Sequence, residues 1–162
     1  MKVAVCPGSF DPITSGHLDV IERGAYLFEK VVVGVFEKTE KNPLFSLDER
    51  IGFIESAIKE NSKLSNVEVE SFNSLLIDFA HRHKACAIIK GLRAVSDFEH
   101  EFQMAQFNRK LDKSIETIFV MASPKYAYLS SSAVKEIAKF GGCIEGLVTK
   151  EVEKGFRKVF KL

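Results

Sequence analysis

Apolar positions along this chain fall into short β-branched runs that alternate with stretches of helical spacing. Lys2–Cys6 is an apolar run stopped by Pro7-Gly8, which predicts a buried strand and then a loop. His17–Phe28 follows with Leu18, Ile21, Ala25 and Phe28 at helical spacing, and Val31–Phe36 reads as a second strand covered on both faces. Glu37–Asn42, closed by Pro43, reads as a loop. Ser46 followed three residues later by Glu49 forms a capping box ahead of a helix carrying Ile51, Ile54 and Ile58 on one side. Val67–Ser71 predicts a third strand, Leu75–Arg82 a helix, and Ala85–Ile89 a fourth strand ended by Lys90-Gly91. Phe98, Phe102 and Ala105 line one face of a helix running to about Lys110. Ile115–Met121 is a fifth strand, Ser130–Phe140 a helix ended by Gly141-Gly142, and Lys150–Phe160 a last helix. Strands alternating with helices predict parallel pairing through right-handed crossovers. The expected fold is therefore α/β, a Rossmann-like five-stranded parallel sheet with helices on both faces. No repeat or linker interrupts it, so residues 1–162 read as a single domain.

Composition narrows the class. The 162 residues suit one domain able to bury a core without disulfides. Lys and Arg number 23 against 22 Asp and Glu, a net charge of +1, which argues against a polybasic nucleic-acid binder. It leaves room for a local cluster of cations. No apolar run approaches the ~20 residues of a membrane helix, and the N-terminal run meets Pro and Gly too early for a signal-peptide core. Cys6, Cys86 and Cys143 are odd in number and lack metal-ligand spacing, which predicts reduced thiols in a cytoplasmic protein. The 14 Phe and 3 Tyr, with no Trp, suggest core filling more than a stacking platform.

In sheets of this kind ligands bind beyond the carboxyl ends of the strands, so the residues there carry the chemistry. After the first strand, Pro7-Gly8-Ser9-Phe10-Asp11-Pro12 leads into Thr14-Ser15-Gly16-His17 at a helix start. Such a turn offers free amides to an anion, Gly16 permits close approach of a phosphate, and His17 could donate to it. After the fourth strand, Lys90 and Arg93 flank Gly91 and Leu92, the charge-assisted contacts a polyphosphate needs. After the fifth, Ser130, Ser131 and Ser132 open a helix with hydroxyls and free amides. Lys41 lies in the loop after the second strand. Each signal alone is weak, and their recurrence at four strand ends is the stronger observation.

Other candidates have plainer readings. Cys6 ends an apolar strand and reads as a buried, inert thiol. His81 and His83 do not share a helix face and lack a third metal ligand. Asp97, Glu99 and Glu101 read as a solvated face, as do the basic residues of the last helix.

The Pro7–Pro12 turn with Thr14-x-Gly16-His17 resembles the signature of the nucleotidylyltransferases. Lys90–Val95 with Asp97-Phe98-Glu99, the segment Phe45–Arg50 and Ser130–Ser132 narrow the resemblance to the bacterial phosphopantetheine adenylyltransferases, across essentially the whole chain. The resemblance implies transfer of an adenylyl group from ATP to 4′-phosphopantetheine, giving dephospho-coenzyme A and pyrophosphate, the penultimate step of coenzyme A biosynthesis. It assigns ATP contacts to Ser9, Phe10, His17, Gly91, Leu92, Arg93 and Glu101, and to Tyr126, Ala127, Tyr128, Leu129, Ser130, Ser131 and Ser132. It assigns the acceptor to Ser9, Lys41, Leu76 and Lys90, and transition-state stabilisation to His17 with Lys41 and Arg93. It further implies Mg²⁺ bound through ATP rather than by side chains, a homohexamer, and coenzyme A as a feedback inhibitor, with no nucleic-acid or membrane partner. The chain departs from the family pattern where Lys90 replaces the usual Arg, Cys6 an aromatic and His100 a Tyr.

The chemistry so implied needs no general base. The acceptor is already a phosphate with second pKa near ~6, largely dianionic at neutral pH. This agrees with the lack of a Ser-His-Asp or Cys-His arrangement in the sequence. A nucleotidylyltransferase with another phosphate acceptor, or a sensor that binds ATP or coenzyme A without turnover, are the alternatives.

Overall fold

Alternate residues of a strand point to opposite faces, and those of the first two strands are nearly all apolar, so the sheet needs cover on both sides. The computed structural model describes residues 2–38, 42–93 and 95–161, with 95–97 described in backbone alone. Strands β1 (Val3–Gly8), β2 (Lys30–Phe36), β3 (Val67–Phe72), β4 (Ala87–Leu92) and β5 (Glu116–Met121) form one parallel sheet in the order β3-β2-β1-β4-β5. Helices α1 (Ser15–Leu27), α2 (Leu47–Glu60), α3 (Leu76–Arg82), α4 (Val95–Leu111), α5 (Ser131–Lys139) and α6 (Lys150–Phe160) complete the Rossmann-like fold.

On one face Ala4, Cys6, Val31, Val33 and Val35 pack with Ile21 of α1, Ile54 of α2, Val134 of α5 and Phe156 of α6. On the other, Val3, Val5 and Val32 meet Phe72 with Ile77 and Phe79 of α3. The Phe72 and Phe79 rings stack at 4.3 Å against Gly34 of β2, where a Cβ would come within 2.7 Å of Phe79.

Two strand ends differ from the expectation. β1 runs on through Pro7 and Gly8 instead of stopping at Cys6. It pairs with β2 as far as Gly8↔Val35, whereas its pairing with β4 is confined to Ala4↔Ala87 and Val5↔Ile88. The Val3 carbonyl accepts from Cys86, just ahead of β4, and parallel strands direct alternate residues to the same neighbour. The N–H that Pro7 lacks therefore falls on the side where the β4 ladder has already ended, so proline breaks no bond there. The fourth strand likewise extends past Lys90-Gly91, because β5 keeps pairing with it through Leu92↔Met121.

α4 also departs from a simple core helix. Phe98, Phe102 and Phe107 are 44%, 48% and 53% exposed, so large apolar side chains of this helix are left partly uncovered in the single chain. No helix among the described residues is long and apolar enough to cross a membrane.

Candidate active site

Where the β1–β4 ladder ends, the sheet opens into a cleft of about 840 Å³. Its walls are the last residues of β1 and β4, the turn from β1 into α1, the exit of β2, and the N-terminus of α5. This is the reversal point of strand order, where an α/β sheet presents its ligand site. Ser9, Phe10, His17, Lys90, Gly91, Arg93, Glu101, Tyr126, Leu129, Ser130, Ser131 and Ser132 all line it.

His17 is set by the cap of α1. Thr14 is the N-cap, accepting from the His17 amide, while the Thr14 amide donates back to His17 Nδ1 at 3.0 Å. A capping box usually closes with Glu or Gln, and here an imidazole takes that place. Because Nδ1 accepts, the neutral ring carries its proton on Nε2. Burial, then the positive charges of Arg93 and Lys90, push its pKa from 6.5 down to about 4. The ring is thus a neutral, single-proton donor at physiological pH. Phe10, held at φ 46°, backs it edge-on at 5.2 Å. Gly16 has only ordinary neighbours for an added Cβ, the nearest at 3.6 Å. The fold itself would accept a side chain there, so the bare backbone leaves room for a ligand.

The cations are held by internal partners. Lys90 Nζ meets Glu101 Oε1 at 3.1 Å, linking the candidate acceptor ligand to a candidate ATP ligand. Arg93 donates to the Leu129 carbonyl at 2.9 Å, tying the end of β4 to the segment before α5. At α5 the three serines divide their work differently from a row of free hydroxyls. Ser130 Oγ caps the helix by accepting from Ala133, and Ser131 Oγ donates to the Pro12 carbonyl at 2.7 Å. The Ser131 and Ser132 amides, without acceptors inside the helix, remain for an anion.

Other predicted residues fall elsewhere. Leu92 is buried in β4, Tyr128 is 71% exposed, and neither they nor Ala127 line the cleft. Leu76 opens α3 and packs with the Phe72–Phe79 group, and it does not line the cleft. Lys41 lies outside the described residues, as does the Asp97 side chain. Cys6 lines the cleft floor, and burial pushes its thiol up to about 12, the Lys90 charge opposing only in part. His81 and His83 face different carboxylates, Asp112 at 2.6 Å and Glu70 at 3.3 Å.

Three residues of the cleft's architecture escape the sequence reading: Asp11, Arg50 and Lys135. Asp11 Oδ1 accepts from the Phe45 amide at 2.9 Å, and Oδ2 from the Leu44 amide at 3.0 Å and Lys135 Nζ at 2.7 Å. Arg50 is 1% exposed and donates through Nη1 to the carbonyls of Ser9 at 2.7 Å and Phe36 at 3.0 Å. It occupies the buried stripe of α2 shared by Ile54 and Ala57, so the helical period does signal it.

A phosphate-ready cleft at the switch point of a five-stranded parallel sheet defines a nucleotidyltransferase-type fold. Residues 5–137 match the model of the cytidylyltransferase-like family. Among solved structures, nicotinic acid mononucleotide adenylyltransferase of Plasmodium falciparum, complexed with NaAD, superposes with a TM-score of 0.73 at 15% identity, covering 99% of this chain and 96% of that one, a likeness of fold. The phosphopantetheine adenylyltransferase of Clostridium botulinum (strain Alaska E43 / Type E3) is 60% identical over 152 residues, 94% of each chain. That of Caldanaerobacter subterraneus subsp. tengcongensis is 55% identical over 161 residues, 99% of each chain. The chain belongs to the phosphopantetheine adenylyltransferase family.

Proposed function

We propose that the cleft carries out the family's reaction by holding two phosphates in line, with no covalent intermediate and no general base. The 4′-phosphopantetheine phosphate attacks the α-phosphorus of ATP. The bond to the bridging oxygen breaks, and pyrophosphate leaves. The observation that carries this reading is the Thr14-clamped His17, whose Nε2–H is the one proton its neutral ring can donate. Such a donor stabilises charge that builds on the phosphoryl oxygens without reorganising. Lys90 near the end of β4 and, by resemblance, Lys41 after β2 take the acceptor phosphate. Arg93, Glu101 and the first turn of α5 take ATP. A positioned pair of anions accounts for most of the catalysis such a site can supply.

Mg²⁺ would enter on the triphosphate. The cleft's described acidic side chains, Asp11 and Glu101, are each engaged by a lysine, so the residues present suit an ion carried by nucleotide oxygens. When bound, it would neutralise charge on the phosphates.

The reading includes a homohexamer in the cytoplasm inhibited by coenzyme A. The uncovered Phe98, Phe102 and Phe107 on α4 support self-association, since apolar side chains so disposed favour burial against another surface. The unpaired Cys6, Cys86 and Cys143 suit a reducing compartment. The deciding experiment incubates the protein with ATP, Mg²⁺ and one acceptor at a time, following pyrophosphate release. Release with 4′-phosphopantetheine, and not with nicotinamide mononucleotide or glycerol phosphate, is expected. Release with another acceptor only, or with none, would refute the assignment, and the latter would favour a sensor.

A further inference from the structure

We propose that Asp11 is a positioning residue for the acceptor end of the cleft. It would fix the segment after β2 against the β1–α1 turn. The proposal rests on the reading above, in which that end receives 4′-phosphopantetheine.

A carboxylate lining a phosphate-transfer cleft invites assignment as a base or a metal ligand. Its contacts point elsewhere. The residue is 6% exposed, and both oxygens already accept hydrogen bonds: Oδ1 from Phe45, Oδ2 from Leu44 and Lys135. Burial alone would raise its pKa. The Lys135 hydrogen bond, the Leu44 and Phe45 amides and the Lys135 charge outweigh that and hold it below the ordinary value. An ionised acid with its lone pairs so engaged accepts no proton during turnover at neutral pH.

What those bonds restrain is specific. Leu44 and Phe45 are the C-terminal stem of the segment joining β2 to α2, and Lys38 and Pro43 of that segment line the cleft. The Phe45 ring is fully buried between Phe53 and Phe156, so its amide is presented from an anchored residue. The N-terminal stem is fixed separately, by Arg50 bridging the Phe36 and Ser9 carbonyls. Asp11 and Arg50 thus clamp both stems to one turn, the turn that carries Ser9 and leads to His17. The Lys135 bond joins α5 to the same carboxylate, beside the Ser131 bond to Pro12. The two Asp11 amide bonds act on the segment after β2, whereas α5 keeps its Ser131 anchor without them.

Steady-state kinetics with both substrates, together with amide hydrogen exchange, test this in Asp11→Asn, Asp11→Glu and Lys135→Met. Asn keeps one acceptor oxygen and sets an NH₂ against a donor. Asp11→Asn should raise KM for 4′-phosphopantetheine about 10- to 100-fold, with KM for ATP moving much less. The exchange of the Leu44 and Phe45 amides should accelerate, while that of Val31–Val35 stays as in wild type. Asp11→Glu keeps the charge but displaces it by a methylene, so it should show the same KM split; it carries the test should Asp11→Asn not fold. Lys135→Met leaves both amide bonds and should change the acceptor KM less than either Asp11 variant. Equal rises in both KM values, or a fall in kcat with unchanged KM and loss of the acid limb of the pH profile, would overturn the proposal. A wild type inactive with 4′-phosphopantetheine removes the acceptor reading and this role with it. In that case the amide exchange still reports separately whether the tether exists.

Discussion

The neutral state of His17 is open to direct measurement. The perturbation is His17→Ala, read beside a pH titration of the wild-type ring. Removing one preorganised donor to a developing oxyanion costs about 2.7–4 kcal/mol, a 10²- to 10³-fold loss of kcat. The fall in pKa from 6.5 to about 4 corresponds to roughly 3 kcal/mol in favour of the neutral ring. Imidazole ¹⁵N and ¹³C shifts should therefore show the Nε2–H tautomer and no titration until pH falls well below 6. The kcat profile should still carry an acid limb near about pH 6, because the acceptor phosphate protonates there. That limb belongs to the substrate, so it should persist in His17→Ala at the lower rate. The same pKa makes a stability statement. The unfolded ring binds a proton at about 6.5 and the folded ring only near 4, so the unfolded state holds more protons between them and stability declines as pH falls through that interval. His17→Ala should flatten that decline. A kcat within a few-fold of wild type in a folded His17→Ala, or a ring that titrates at or above 6.5, would refute the donor role.

Three further outcomes follow from particular contacts. Lys90→Arg should leave KM for 4′-phosphopantetheine equal or lower, since Arg grips phosphate bidentately; a large rise, read in the same pyrophosphate assay, would mean the pocket is built around the Lys90–Glu101 pair. Gly34→Ala puts a Cβ within 2.7 Å of Phe79 and 2.9 Å of Phe72, both ring atoms in a packed stack, and should destabilise by about 1–3 kcal/mol in urea unfolding. Arg50→Met removes a buried guanidinium that bridges two carbonyls and lies near Asp11; it should lower urea stability by about 3 kcal/mol or more, with Arg50→Lys recovering only part.

Much of this architecture was legible in local pattern. The Ser46–Glu49 box appears as drawn, with Ser46 Oγ accepting from the Glu49 amide and Glu49 Oε2 from the Ser46 amide. The five predicted strands are all present, and the central β1 and β2 are the apolar runs buried on both faces. Strand ends were less legible. A proline looks like a stop until the neighbouring strand is known to have diverged already, as β4 has beyond Val5. Within the site, the Thr14–His17 cap was hidden because imidazole is not among the residues expected to close a capping box. Asp11 escaped notice for a different reason: its partners lie 33, 34 and 124 residues away. The exposed Phe98 and Phe102 of α4 could not be told from a core stripe by spacing, since the spacing is the same whether the covering surface belongs to this chain or to another.

The charge balance looks different once these partners are known. A net +1 by itself argues only against long polyanions. In the cleft it has a structural counterpart: Lys90 is opposed by Glu101, and Lys135 by Asp11. Cations gathered at one sheet edge repel one another, most strongly where water is scarce. An acid beside each lysine lowers that repulsion in the free enzyme. The two pairs then differ in what a phosphate can do to them. Asp11 is engaged by two backbone amides besides Lys135, so its place is fixed by the fold. Lys90 and Glu101 are joined at 3.1 Å between β4 and α4, and the side chains are 24% and 20% exposed. An acceptor phosphate can therefore compete with Glu101 for Lys90, and its affinity is a difference between two pairings of the same lysine. The acids that cancel the sum in the sequence are thus part of how the cleft keeps its cations together until a phosphate arrives.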